Sequence, residues 1–186
     1  MPKYCQLVLP PRALASSIAG CIVRDTRGTT MSDADRVNYF PASPLFTITL
    51  TLVGQLIIAN EFCQLEELQK QDGAPKRLAL PPQEQPQMSW SAGPILALTV
   101  AFFPDAWLRL GGTLDGTPPD EFWDALSLFE TEHLETAWPQ FWTRMTDVCA
   151  VGEASGRTAE WAGSDKLKDW TYHLFSQLMQ TGSGRS

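Results

Sequence analysis

Hydrophobic and polar residues alternate most regularly in the segment Leu45–Leu52. Apolar side chains occupy every second position, at Phe46, Ile48, Leu50 and Leu52, and threonines fill the positions between them. Successive side chains of a β-strand point to opposite faces, so this alternation predicts a strand with one apolar face. The β-branched threonines favour the same extended conformation.

Other apolar segments of the first hundred residues predict further strands. The shorter ones are Cys21–Asp25, Gln55–Ala59 and Arg77–Leu80. The segment Ile95–Phe103 is apolar at both sets of alternate positions and is bounded by prolines, which predicts a strand covered on both faces. The proline-bearing residues 81–87 predict a connection, and residues 13–19 predict a short helix after Pro11.

After residue 103 the hydrophobic period becomes helical. Pro104 and Asp105 predict the start of a short helix, and Thr117-Pro118-Pro119-Asp120 predicts the start of another. Apolar residues between Leu134 and Met145 recur at helical spacing, and Pro139 is expected to kink that helix or to divide it.

Strands that precede helices in this way predict an α+β fold, with a β-barrel or sandwich followed by C-terminal helices. We expect one domain over residues 1–150, a linker over 151–162 and a last helix over 163–182. One face of that last helix carries the apolar residues Leu167, Trp170, Leu174 and Leu178. This stripe could pack on its own domain or on a twofold-related copy, and the second option predicts a homodimer.

Composition and charge narrow the possible functions. The chain has 186 residues, 44% of them hydrophobic, with seven tryptophans, which is typical of a folded domain with its own core. No apolar segment reaches the roughly 18 residues that a membrane-spanning helix needs, so we expect no membrane partner. The net charge of −7 argues against direct binding to a nucleic-acid backbone.

The residues that usually carry catalysis or bind metals are sparse. The two histidines, His133 and His173, fall outside the predicted strands, and no phosphate-binding glycine loop is present. The acidic residues between Asp105 and Glu135 are interpreted as a solvated surface. The four cysteines are far apart and are predicted to be reduced, as in a cytoplasmic protein. We therefore predict no enzyme activity, no metal site and no cofactor.

A small-molecule pocket is the more promising kind of site. A barrel of strands can enclose a ligand among its inward-facing side chains. On this hypothesis the ligand-binding residues are Phe46, Ile48, Leu50, Trp90 and Phe102, of which Trp90 is the preferred candidate because tryptophan stacks on flat or cationic ligands.

Three short motifs resemble the N-terminal half of AraC-type transcription regulators. The first is Pro10-Pro11 with Leu14, and the second is Phe40-Pro41-Ala42 leading into Leu45–Leu52. The third runs from Gly93-Pro94-Ile95-Leu96 into Phe102-Phe103-Pro104-Asp105-Ala106 and on to Gly111. The DNA-reading helix-turn-helix half of the family is missing, and residues 181–186 mark the point at which it would begin.

The resemblance implies a cytoplasmic bacterial regulator with a cupin-like barrel that senses an effector or mediates dimerisation. DNA would then be bound only through the missing half, and the chain would be either a piece of a longer regulator or a stand-alone relative. The resemblance identifies neither the effector nor any residue that contacts it. A stand-alone protein-interaction module and, as a weaker hypothesis, a small carboxylate-dependent enzyme are the alternatives.

Overall fold

Eight strands and five α-helices form the described part of the chain, residues 5–59 and 63–154, in the computed structural model. The strands are β1 (Cys5–Val8), β2 (Ile18–Asp25), β3 (Asn38–Phe40), β4 (Phe46–Val53), β5 (Leu56–Ala59), β6 (Arg77–Leu80), β7 (Gln87–Ser91) and β8 (Leu96–Phe102). The helices are α1 (Leu65–Leu68), α2 (Pro104–Arg109), α3 (Asp120–Leu126), α4 (Leu128–Thr131) and α5 (Leu134–Ala154), with short 3₁₀ helices at Arg12–Leu14 and Ala34–Arg36.

The strands form two antiparallel sheets. The larger sheet has the order β1-β2-β8-β4-β6, and the smaller sheet has the order β3-β7-β5. Strands β1 and β6 each pair on one side only, so within the described residues the sheets are not closed into a barrel. The predicted α+β class is confirmed, whereas the barrel that was one of its two predicted forms is not observed.

One face of the larger sheet carries the main hydrophobic core. Phe46, Ile48 and Leu50 of β4 lie directly opposite Phe102, Val100 and Leu98 of β8. The helices α2–α5 cover this face, and the buried residues of both layers belong to one cluster. The apolar positions of β4 therefore alternate because every second side chain faces this core, as the sequence predicted.

Trp107 of α2 lies at the centre of that core. Its side chain is fully buried, its ring stacks on Phe46 with centroids 4.9 Å apart, and its indole nitrogen donates a hydrogen bond to the Thr113 carbonyl at 2.9 Å. Phe102 and Phe122 complete the aromatic group, with centroids 4.7 Å apart. A buried indole of this kind stabilises the helix–sheet contact because its apolar surface is removed from water and its N–H keeps a hydrogen-bond partner.

Several local predictions need correction. The predicted helix over residues 13–19 is a 3₁₀ turn, Arg12–Leu14, followed by β2 from Ile18, because this segment pairs with β8. Pro139 does not divide its helix, which is assigned as one segment over Leu134–Ala154. Strand β7 occupies Gln87–Ser91, directly after the proline-bearing connection, and strands β1 and β3 had not been predicted.

The predicted linker begins too early, because α5 continues to Ala154. The remaining residues of that linker and the predicted helix over 163–182 lie outside the described residues, as do Leu167, Trp170, Leu174, Leu178 and His173. Among the helices that the structure describes, none has the length and apolar character required to cross a membrane.

Candidate functional site

The second face of the larger sheet carries hydroxyl groups instead of an apolar core. Thr49 of β4 lies opposite Thr99 of β8, and their hydroxyl oxygens are 2.9 Å apart in a hydrogen bond. In the next row Thr51 lies opposite Ala97, and Arg24 of β2 lies opposite the same alanine. Thr49 and Thr51 are buried, although neither belongs to a hydrophobic cluster. The threonine rows on this face are therefore polar and buried, whereas Ile22, which lies opposite Thr99, is 39% exposed.

The smaller sheet repeats this arrangement with serines. Every residue of β7 is buried, and alternate positions serve different faces. Met88 and Trp90 belong to a second apolar cluster with Ile57. The intervening Ser89 and Ser91 lie on the opposite face.

Among the described residues, neither serine hydroxyl has a hydrogen-bond partner. Ser89 is 1% exposed and Ser91 is fully buried, and both hydroxyl oxygens are without a partner in the structure as described. A buried hydroxyl group without a partner costs about 1–3 kcal/mol. Such a pair of groups needs a physical explanation, and a ligand or ordered water that accepts hydrogen bonds from them would provide one.

Hydrogen bonds to one carbonyl oxygen bring the two polar faces together. Arg24 of the larger sheet donates to the Arg36 carbonyl at 2.9 Å, and Asn38 of the smaller sheet donates to the same oxygen at 3.2 Å. Asn38 lies directly opposite Ser89 in the pairing of β3 with β7. The guanidinium of Arg24 therefore lies near the Asn38 amide, beside strand β3 of the smaller sheet.

Two of the connections that join the larger sheet to the smaller one also lie close together. Two residues join β4 to β5, and the four residues from Ala92 to Ile95 join β7 to β8. At Gly54 the φ angle is +83°, and a Cβ atom there would lie 2.5 Å from the Pro94 carbonyl oxygen. These two connections are in contact, so they hold the end of β4 next to the end of β7. We call this set of residues on the two polar faces, Arg24, Asn38, Thr51, Ser89 and Ser91, the intersheet site.

Arg24 gives the intersheet site a positive charge. Its side chain is half-buried, and within the described ranges no carboxylate forms an ion pair with it. Burial lowers the pKa of the Arg24 guanidinium below its ordinary value, and its electrostatic interaction with Cys5 acts in the opposite direction. A guanidinium stays protonated at neutral pH in spite of such a shift. The site therefore presents a cation, an amide and several hydroxyl groups.

The predicted ligand-binding residues lie elsewhere. Phe46, Ile48, Leu50 and Phe102 are brought together, but on the helix-covered face, where each is at most 3% exposed. Their role in binding a ligand stays a prediction. The structure places them in the core around Trp107.

Trp90 lies apart from those four residues. It is 7% exposed, it packs in the second apolar cluster, and its indole nitrogen donates to the Asp33 carbonyl at 3.1 Å. A cavity of about 380 Å³ borders that cluster, lined by residues that include Val37, Tyr39 and Met88, but Trp90 is not among its lining residues. Binding of a ligand by Trp90 likewise stays a prediction.

The intersheet site was missed by sequence reasoning, although one signal was available. The segment Gln87–Ser91 alternates polar residues with Met88 and Trp90, which is the pattern of a strand with one apolar face. The neighbouring prolines favoured the prediction of a connection. Arg24 and Asn38 carried no comparable signal, because their positions depend on pairing across the sheets.

Other candidate chemistry is placed on the surface. His133 is exposed and precedes α5, and the carboxylates of the acidic stretch are exposed with the exception of the half-buried Glu132. Among the described residues, no group of three or more histidine, cysteine or acidic side chains is close enough to hold a metal ion. No family model matches the chain, and a search of the curated proteins found no match.

Proposed function

We propose that this chain is the sensor domain of a bacterial transcription regulator and that it binds a small-molecule effector in the intersheet site. The observation that carries this proposal is the pair of buried hydroxyls of Ser89 and Ser91, which have no hydrogen-bond partner among the described residues. Arg24, which is bonded to the Arg36 carbonyl beside Asn38, supplies the positive charge. The resemblance to AraC-type regulators supplies the biological role, including a cytoplasmic location and a cupin-like relationship. The proposed domain is not an enzyme and does not bind DNA by itself.

The chemistry of the intersheet site indicates the type of effector. Hydroxyl groups can donate to ligand oxygens, and a guanidinium binds carboxylates through two parallel hydrogen bonds. The neighbouring threonine methyl groups and Ala97 add a small apolar surface. An anionic molecule that carries oxygen acceptors, such as a small hydroxy acid, would satisfy both serines and the free donors of Arg24.

A thermal-shift screen of small carboxylates and hydroxy acids tests the proposal, followed by calorimetric titration of any compound that raises Tm. For such a compound we expect the Arg24→Gln variant and the Ser89→Ala, Ser91→Ala double variant each to bind at least about tenfold more weakly. Loss of one charged hydrogen bond costs about 1.5–3 kcal/mol, which corresponds to that change in Kd.

Ser127→Ala is the matched control. Its hydroxyl donates to the Asp124 carbonyl at 2.7 Å on the helical side of the molecule, outside the intersheet site. This variant should bind the compound with unchanged affinity. If no compound in the library binds, or if the control and the site variants lose affinity equally, the proposed sensor site is wrong.

Self-association through the stripe of Leu167, Trp170, Leu174 and Leu178 is a separate prediction. The sequence left two options for that stripe, a twofold partner or the stripe's own domain. Because those residues lie outside the described ranges, the choice depends on which surface of the described domain can receive them.

A further inference from the structure

A second cavity, of about 460 Å³, lies between α5 and the residues that follow α2. Its apolar lining includes Leu110, Val148 and Val151, and its lining also includes the carboxylates of Glu121 and Asp147. It is distinct from the intersheet site, because none of its lining residues belongs to a strand.

Two features of α5 show that this surface suits an apolar partner. Val151 is 71% exposed, so its side chain offers apolar surface at the cavity. Gly152 lies so close to Leu110 that a Cβ atom would be 2.7 Å from its Cδ2 atom. The glycine therefore allows α5 to approach Leu110, and the cavity opens beside that close contact.

The continuation of the chain begins beside the cavity. The described part of α5 ends at Ala154, only two residues beyond Gly152, and the sequence continues from there to Ser186. Residues 155–166 separate Ala154 from Leu167, the first residue of the predicted apolar stripe. A connection of that length spans up to about 40 Å when extended, at about 3.3 Å per residue, so the stripe can return to the cavity.

Residues 165–169 carry two lysines and two aspartates, so the segment has no net charge there, and its lysines are the groups that can form ion pairs with the cavity. Glu121 and Asp147 are exposed carboxylates in the lining of the cavity, and Lys166 and Lys168 flank Leu167 in the sequence. Covalent connection also gives the stripe a local concentration in the millimolar range, which a separate copy of the chain does not reach at micromolar concentration.

We propose that the segment beginning at Lys166 binds in the cavity of its own chain, with Leu167 against Val151 and with Lys166 and Lys168 near Glu121 and Asp147. This inference goes beyond the sensor function and does not depend on any effector. It selects the intramolecular option for the stripe in place of the predicted homodimer.

Zero-length carbodiimide cross-linking of the full chain tests this contact, because the reagent joins a lysine amine directly to a carboxylate. A mixture of unlabelled and ¹⁵N-labelled chains, analysed by mass spectrometry, separates links within one chain from links between two. We expect Lys166 or Lys168 to be joined to Glu121 or Asp147 within one chain. Links found only between differently labelled chains would show that a second copy occupies the cavity, and absence of the link would equally overturn the proposal.

Two variants of α5 provide the matched comparison. Val151→Asp places a like charge among the apolar lining residues and should lower the yield of the intramolecular link about tenfold, the effect of a 1.4 kcal/mol loss in binding. Thr146→Asp adds the same charge at an exposed position of α5 that does not line the cavity, and it should leave the yield unchanged. Circular dichroism verifies that both variants are folded. Equal yields for the two variants would contradict the contact.

Discussion

At the scale of single residues, Cys21 shows how burial controls ionisation in the larger sheet. Its side chain is fully buried in the main core, and this desolvation raises the pKa of Cys21 from 9.0 to about 12. The unfolded chain therefore loses the thiol proton at a lower pH than the folded chain does. Between those two pKa values the unfolded state binds fewer protons, so the free energy of unfolding must fall as the pH rises.

We predict that this thiol lowers the stability of the protein by about 1 kcal/mol at pH 10 relative to pH 8. Urea denaturation at both pH values measures the effect, with Cys21→Ala as the comparison because it removes the titrating group. The variant is expected to be less stable at both pH values, since it loses buried volume, but to show a smaller decrease between them. An identical decrease in both proteins would contradict the assignment to Cys21.

The buried hydroxyl groups lead to a second prediction at this scale. Ser89→Ala removes a group without a partner, so the free energy of unfolding should stay the same or rise by up to about 1 kcal/mol. Thr49→Ala removes one partner of the hydrogen bond to Thr99 and should lower the same quantity by about 1 kcal/mol.

Urea denaturation without added effector distinguishes the two variants. The order of their stabilities is the decisive result, because both substitutions remove a buried hydroxyl group. If Ser89→Ala were the more destabilising variant, the Ser89 hydroxyl would have a protein partner, and it could not be reserved for a ligand.

The residue scale also shows where sequence reasoning reached its limit. The apolar side chains of β4 were correctly predicted to share a buried face, because alternation alone determines which residues point together. The identity of the surface that covers them was not encoded locally. Phe46 and Phe102 are covered by Trp107 of a later helix and so belong to the core, while their role in binding a ligand stays a prediction.

At the scale of elements, the connection between β4 and β5 determines how the two sheets meet. Gly54 combines a φ angle of +83° with a close approach to Pro94, and only glycine meets both conditions without strain. Gly28 has a similar φ angle of +72°, but no atom of the described residues lies within 4 Å of the position that a Cβ atom would occupy. A substitution at Gly28 therefore introduces backbone strain alone, whereas one at Gly54 introduces backbone strain and a steric clash.

We predict that Gly54→Ala lowers the free energy of unfolding by about 1–3 kcal/mol more than Gly28→Ala does. The smaller effect of Gly28→Ala reports the left-handed backbone alone, and the difference reports the clash with the Pro94 carbonyl oxygen. Thermal and urea denaturation of both variants provide the measurement. Equal losses in the free energy of unfolding would show that the contact between Gly54 and Pro94 relaxes without an energetic cost.

Element boundaries were predictable where one local pattern dominated. Strands β4 and β6 and the start of α2 follow from alternation, apolar content and a proline at the first helical position. The segment after Pro11 was misassigned because short apolar residues suit a helix or a strand equally well, and pairing with β8 decided between them. Strand β3 has three residues, too few for a period to be recognised.

At the scale of the whole molecule, the acidic balance of the chain constrains what the proposed sensor can do. A protein that binds duplex DNA neutralises phosphates with clustered lysine and arginine side chains, and its affinity falls steeply as salt displaces those contacts. This chain carries 14 such residues against 21 acidic ones. Several of its arginines are already engaged, since Arg27, Arg36, Arg77 and Arg109 lie in ion pairs with carboxylates. Arg24, the cation of the intersheet site, is half-buried and bonded to the Arg36 carbonyl.

We therefore predict negligible binding of this chain to duplex DNA, with a Kd above about 10⁻⁴ M even at 50 mM salt. Fluorescence anisotropy of a labelled duplex, with a basic DNA-binding protein as the positive control, measures this. The same titration with an effector identified in the thermal-shift screen should give the same result, because a small anion in the intersheet site adds no positive charge. Salt-dependent binding in the micromolar range would contradict the division of labour proposed here, in which effector binding and DNA binding belong to different parts of a regulator.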